Sequence, residues 1–139
     1  MIIYFTSLYN MPKKIFIFSG NYEGKGNERR KELWKACYTL GVPDCNICLI
    51  SDTRLQDNPK AQWPVPVIAK LIQQQLEALD IDTLVTFDRG GVSSHPNHSA
   101  VFYAVAYMFV EKNMPQSKLK SINITYIFYN FYFKFAFLG

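Results

Sequence analysis

The sequence holds few of the residues from which metal centres and disulfide frameworks are built. Its 139 residues include two histidines, His95 and His98, and three cysteines, Cys37, Cys45 and Cys48. An odd count does not suit a disulfide framework, which small secreted chains build from pairs, so a reducing compartment is expected. Cys45 and Cys48 form a C-x-x-C, but a structural zinc site needs a second ligand pair and a redox motif belongs at a helix start. This one runs into Leu49 and Ile50 in a strand-like stretch, and buried cysteines acting as small hydrophobes are the expectation. Charge is also sparse, at 19% of residues. No Lys/Arg block is long enough for a nucleic-acid arm, so no nucleic-acid partner is expected. The net charge of +4 fits contact with phosphates or an anionic membrane surface without requiring either. No segment is a clean run of about 20 apolar residues. Residues 1–10 have neither the basic start nor the small-residue cleavage site of a secretory signal.

A chain of this length is about one domain and can bury roughly two-thirds of its unfolded surface. Apolar residues make up 49%, which excludes disorder as the main state. Aromatic residues are abundant, at 16%, and uneven: eight of the nineteen residues from Ser121 to Gly139 are Phe or Tyr.

Lys14–Ser19 reads as a short strand, a continuous apolar run of the kind covered on both faces, ending at Gly20 and Asn21. A helix is expected from about Glu28 to Leu40, with Leu33, Ala36, Cys37 and Leu40 on its buried face. Asn27 suits its N-cap and Gly41 its C-terminal stop. A second strand is expected over Asn46–Ser51 and a polar loop over Asp52–Trp63. Pro64 or Pro66 opens the next helix, with a stripe of Ile68, Leu71, Ile72, Leu76 and Leu79. Asp82–Phe87 reads as a third strand and Asp88–Pro96 as a loop. Asn97–Glu111 reads as a last helix with Val101, Ala104, Val105 and Met108 inward. This alternation predicts an α/β domain with a parallel sheet and right-handed crossovers. Ligands of such sheets bind outside the carboxyl ends of the strands, which singles out the loops 20–27, 51–63 and 88–98.

The densest cluster is Phe87–His98, FDRGGVSSHPNH, with both histidines three residues apart at a strand-to-helix junction. Imidazole is a zinc ligand and an acid–base group near neutral pH. The plainer reading is two surface histidines at a helix N-terminus, and the spacing alone does not overturn it. Gly90 and Gly91 would let the backbone pass close to a ligand. In GNERRKEL, Arg29 and Glu32 stand three apart at a helix start. They form either a surface ion pair worth about 0.2–0.5 kcal/mol or a site where Arg29 grips a phosphate or sugar hydroxyl. Asp57 either accepts hydrogen bonds from a sugar or stabilises a turn before Asn58-Pro59.

Taken together, FSGNYEGKGNERRKEL, LGVPDCNICLISDTRLQDNPKAQW and VTFDRGGVSSHPNHSAVFYAV resemble the PIG-L branch of the LmbE-like deacetylases, which act on N-acetylglucosaminylphosphatidylinositol. The resemblance runs from about Ile15 to Ala106, and residues 1–120 are expected to form a partial LmbE-like domain. It implies a Rossmann-like parallel sheet with helices on both faces, a divalent metal of the zinc type, and hydrolysis of an acetamide on glucosamine. It further implies the second step of glycosylphosphatidylinositol anchor assembly at the cytoplasmic face of the endoplasmic reticulum membrane. The partners would then be the glycolipid substrate and the membrane surface. Residue by residue, it implies that His98 is the metal-binding histidine of the H-P-x-H motif. It implies that His95 is the catalytic histidine, stabilising the tetrahedral oxyanion or acting as an acid, and that Arg29 and Asp57 bind substrate. Asn97 stands where many bacterial relatives carry Asp.

One family motif is missing. The family opens with a strand ending in His-Pro-Asp-Asp-Glu, which supplies two metal ligands and the general base, and nothing like it occurs in this sequence. The opening MIIYFTSLYN resembles the helix that follows that motif. The chain is therefore expected to start just downstream of it, without the first, central strand, and to expose a sheet edge there. A catalytic zinc site takes three protein ligands and a water. One matched ligand and no matched base imply weak or absent zinc binding and little deacetylase activity. Two non-enzymatic readings stand beside this one. The first is an inactive relative that binds the glycolipid through Arg29, Asp57 and the glycine loop; the second is an interaction domain without sugar affinity. Residues 121–139 depart from the family pattern and are expected to lie outside the domain. They form an aggregation-prone run, a membrane-interface segment, or an end foreign to the fold. Asn97-His98-Ser99 and Asn123-Ile124-Thr125 match the glycosylation triplet, by chance if the domain faces the cytoplasm.

Overall fold

The structure is a computed structural model that describes residues 2–7, 10–17, 21, 23–39, 41–58, 60–78, 83–111 and 123–127. Among these the elements run β1 (Ile2–Ser7), β2 (Asn10–Ile17), α1 (Gly26–Thr39), β3 (Ile47–Ile50), α2 (Val65–Ala78), β4 (Thr83–Phe87), α3 (Gly91–Ser94), α4 (Pro96–Val110) and β5 (Asn123–Ile127). A short 3-10 turn, Asp44–Asn46, leads into β3.

The strands form one sheet in the order β3-β2-β1-β4-β5. β2 and β3 are parallel, with Lys14 opposite Ile47 and Ile17 opposite Ile50. β4 and β5 are parallel, with Thr83 opposite Asn123 and Phe87 opposite Ile127. β1 is antiparallel to both its neighbours, β2 and β4. The domain is therefore α/β as expected, but its sheet is mixed where an all-parallel one was expected.

The opening segment, expected to be helical, is a strand instead. Ile2, Ile3, Tyr4, Phe5 and Thr6 are a β-branched and aromatic run that suits a pleated surface. The two residues between β1 and β2 match hairpin spacing. The position of β1 also corrects the expectation of an open edge. β2 and β4 point the same way, and β1 pairs with both, so the edge strands are β3 and β5. Of the segment 121–139, the described residues Asn123–Ile127 form β5, beside β4; the rest lies outside the described residues.

Helices cover both faces of the sheet at β3. Successive strand residues point to opposite faces. Ile47 packs on the Cys37–Val42 cluster beside α1, whereas Cys48 and Ile50 pack on the main core of α2, α4 and β4. The end of α1 explains the smaller cluster. Gly41 has a left-handed φ of 66°, its N–H donates to the Tyr38 carbonyl, and the Val42 N–H donates to the Cys37 carbonyl. This pair of bonds is the Schellman stop, which brings the residue after the glycine back onto the helix. The buried face of α1 is narrower than expected: Cys37 is buried and Leu33 half-buried, but Ala36 is exposed. Leu40 lies outside the described residues. The helix begins at Gly26, so Asn27 sits inside its first turn.

The main core joins Ile68, Ile72 and Leu76 of α2, Leu84 and Phe87 of β4, and Val101, Val105 and Met108 of α4. The helix stripes expected from spacing are found here, except that Leu71 is only half-buried against this core and Leu79 lies outside the described residues. Each large side chain buried there contributes about 1.5–3 kcal/mol. The loop between β3 and α2 is less polar than expected. Leu55 is fully buried, and Trp63 is buried with its Nε1–H donating to the Gln56 carbonyl at 2.8 Å. Asp52 shapes the start of this loop. Its carboxylate accepts bonds from the Arg54 side chain and backbone N–H, and the guanidinium first, then the N–H, holds its pKa down to about 2. No helix among the described residues is long and apolar enough to cross a membrane.

Candidate functional site

The connection from β4 to α4 builds the site. Directly after β4, Asp88 accepts two backbone bonds: its carbonyl takes the Gly91 N–H at 2.9 Å and its Oδ1 takes the Val92 N–H at 2.8 Å. These bonds hold α3, a single turn in which Gly91, Val92 and Ser94 have φ of 61°, 66° and 61°. Such angles cost an L-residue roughly 1–3 kcal/mol and cluster where structure serves function. A Cβ on Gly91 would stand 2.8 Å from both His98 Cβ and Ser99 N. The glycine therefore permits close approach to the chain's own helix, where approach to a ligand was expected.

This turn aims His98. The His98 Nδ1 lies 3.1 Å from the Gly91 carbonyl, which can only accept, so Nδ1 carries the proton and Nε2 keeps its lone pair. His95 takes the opposite form. It caps α4, and its Nδ1 accepts the Asn97 N–H at 3.3 Å. In neutral His95 the proton must then be on Nε2. The rings are stacked together, with centroids 4.8 Å apart for His95 and His98, and 4.2 Å apart for His98 and Phe87. Burial lowers the His98 pKa, the Gly91 carbonyl opposes this, and the charge of His95 lowers it further. His98 is thus predominantly neutral at pH 7. Both histidines are half-buried at the start of α4. The pair presents a proton donor from one Nε2 and an acceptor from the other.

Asp57 is brought to this cluster from the loop after β3. Its Oδ1 makes a long 3.5 Å contact with Asn97 Nδ2. Asn97 is 2% exposed and its Oδ1 has no partner; an amide this buried is no glycosylation acceptor. Arg29 is not drawn in. It pairs with Glu32 at 3.0 Å on exposed α1, and no hydrogen bond among the described residues ties it to His95, His98 or Asp57. The C-x-x-C does not act as a pair: Cys45 is exposed, against expectation, and Cys48 faces the main core. Asp88 lies within the Phe87–His98 cluster but is not among its candidate residues; its signal in the sequence is that of a turn, an Asp shortly before adjacent glycines.

The family described as PIG-L, GlcNAc-PI de-N-acetylase, matches residues 9–109. The chain belongs to the PIG-L family. It is 37% identical to the N-acetylglucosaminyl-phosphatidylinositol de-N-acetylase of Bos taurus, over 76% of this chain and 44% of that protein. It is 40% identical to a probable N-acetylglucosaminyl-phosphatidylinositol de-N-acetylase of Schizosaccharomyces pombe, over 76% of this chain and 43% of that one. A probable enzyme of the same name from Dictyostelium discoideum is 28% identical over 68% of this chain and 37% of its own length. The chain thus spans less than half the length of these curated relatives. No solved structure matches it. The span matched to PIG-L contains Arg29, Asp57, His95 and His98. The PIG-L and LmbE-like proteins generally use a divalent metal. Among the described residues no group of three or more His, Cys, Asp or Glu stands together to hold one. His98 and its neighbours therefore do not by themselves make the three-ligand centre that zinc catalysis needs.

Proposed function

We propose that this PIG-L chain carries part of the machinery that hydrolyses the acetamide of N-acetylglucosaminylphosphatidylinositol in glycosylphosphatidylinositol assembly, its own turnover being slow because the sequence holds no His-Pro-Asp-Asp-Glu motif. The observation that carries this reading is the His95–His98 pair, with its opposed tautomers, inside the span matched to PIG-L. Water attack on the acetamide carbonyl builds negative charge on the carbonyl oxygen and releases a proton, which passes to solvent because the chain has no matched base, and later the amine must leave with a proton. His95 Nε2–H is suited to both tasks, donating to the oxyanion and then to the nitrogen. His98 is the family's metal position, with Nε2 as the available lone pair. Asp57 binds sugar hydroxyls, and Arg29 exchanges Glu32 for substrate. That exchange is cheap, because exposed ion pairs are worth about 0–1 kcal/mol.

The finer parts of the reading are these. Residues 1–120 carry a partial LmbE-like, Rossmann-like domain in which β1 stands in for a central parallel strand, and 121–139 lie outside the family pattern although Asn123–Ile127 adds an edge strand to its sheet. The metal is zinc, held weakly by this polypeptide. The protein works at the cytoplasmic face of the endoplasmic reticulum membrane, where its positive charge favours an anionic surface. Binding without turnover is the second reading. It is favoured by the lack of a three-ligand group among the described residues and of a His-Pro-Asp-Asp-Glu motif in the sequence.

The test is the purified chain incubated with N-acetylglucosaminylphosphatidylinositol in micelles, with and without added zinc, followed by headgroup binding, zinc content and acetate release. The expected result is binding that Asp57→Ala and Arg29→Ala weaken, zinc well below one ion per chain, and acetate release close to the protein-free rate. Stoichiometric zinc with many turnovers would overturn the slow-turnover part. Failure to bind the headgroup would overturn the substrate assignment.

A further inference from the structure

The loop entering α2 and the first turns of α4 enclose an open cleft of ≈ 560 Å³, lined in part by Gln62, Trp63, Pro64, Pro96, Ser99 and Tyr103. Because α2 follows β3 and α4 follows β4, the cleft lies at the carboxyl ends of those strands, where α/β sheets hold ligands. It adjoins the histidine turn, since Pro96 follows His95 and Ser99 follows His98. None of its lining residues is acidic. Arg89 is exposed and donates from Nε to the Tyr103 hydroxyl at 3.2 Å. That bond leaves both Nη groups without a partner among the described residues. It also leaves the Tyr103 O–H proton free to donate, since its oxygen is the acceptor.

We infer that this cleft receives the phosphodiester-linked inositol of the glycolipid headgroup, with Arg89 on the phosphate and Gln62, Ser99 and Tyr103 on the ring hydroxyls. The inference rests on the de-N-acetylase reading and extends it to the far side of the substrate. Size agrees, because small-molecule sites run from about 300 to 1,000 Å³. Charge agrees as well. Arg89, tied to the lining residue Tyr103, offers two free Nη groups that match a phosphate in two-pronged fashion, and the lining residues Gln62, Ser99 and Tyr103 offer neutral donors to a polyol. Position agrees, because Ser99 of the cleft directly follows His98 and stands four residues, about one helical turn, before Tyr103.

The test is calorimetric titration of the full chain with glycerophosphoinositol, myo-inositol, inorganic phosphate and the lipid-free N-acetylglucosaminyl derivative of glycerophosphoinositol. Arg89→Ala, Tyr103→Phe and the control Arg30→Ala, on exposed α1, are run in parallel. Glycerophosphoinositol is expected to bind, with Arg89→Ala weakening it by about tenfold, in line with loss of a charge-assisted pair. Tyr103→Phe is expected to weaken it less, and Arg30→Ala to leave it unchanged. Equal losses in Arg30→Ala and Arg89→Ala would overturn the cleft in favour of diffuse charge. Inorganic phosphate binding as tightly as glycerophosphoinositol would overturn the inositol assignment. If the acetylglucosaminyl derivative binds and Arg89→Ala leaves it unaffected, the inference fails while the enzymatic reading stands. If that derivative binds no better than glycerophosphoinositol, the reading fails while the cleft stands.

Discussion

Replacing Gly91 by alanine is expected to lower stability by about 2–4 kcal/mol, from left-handed strain of 1–3 kcal/mol together with overpacking. The added methyl would meet His98 Cβ and Ser99 N at 2.8 Å, and neither can yield easily. Both belong to the first turns of α4, where the Ser99 N–H is already bonded to the His95 carbonyl. The turn must therefore move away, which takes the Gly91 carbonyl from His98 Nδ1. Gly41 is the internal control. Its φ of 66° is similar, but nothing stands within 4 Å of a Cβ there, so Gly41→Ala is expected to cost only about 1–2 kcal/mol. Urea denaturation of both variants makes the comparison. Equal losses would show that the close packing of α3 on α4 contributes nothing.

The second large effect is expected at Leu84, fully buried in β4. Leu84→Ala removes packing from the core shared with α2 and α4, and such truncations cost about 2–5 kcal/mol. Whole domains are stable by only about 5–15 kcal/mol, so the variant should unfold at much lower urea. The effect should reach the site, because β4 ends at Phe87, which stacks on His98, and leads into Asp88. Val110→Ala, at a position 75% exposed, is expected to change stability by less than about 0.5 kcal/mol. A loss at Leu84 no larger than at Val110 would contradict the described core.

What was legible in the sequence follows the range of the interactions involved. The stripes of α2 and α4 repeat every turn, and Ile68, Ile72, Val101 and Met108 are buried as their spacing demands. Gly41 ends α1 through bonds within five residues. The place of β1 between β2 and β4 was illegible because its pairing with β4 joins Tyr4 to Val85, a contact no local pattern encodes. Left-handed angles at Val92 and Ser94 run against the preference of L-residues and persist only because Asp88 and α4 impose them. In the candidate site, the two histidines stood out by their scarcity and their motif. Their opposed proton positions depend on the Gly91 carbonyl and on the Asn97 N–H, contacts that no motif spells out. Asp57 joins them across forty residues of chain, a proximity implied beforehand only by family resemblance.

The most direct test of the paired-histidine site is nitrogen-15 NMR of the imidazole rings at a pH where both are neutral. The chain has only two histidines, so two ring systems are observed, and His95→Gln assigns them. The expected result is a proton on Nδ1 of His98 and on Nε2 of His95. Finding the same tautomer in both rings would contradict the donor–acceptor pair on which the proposed chemistry rests.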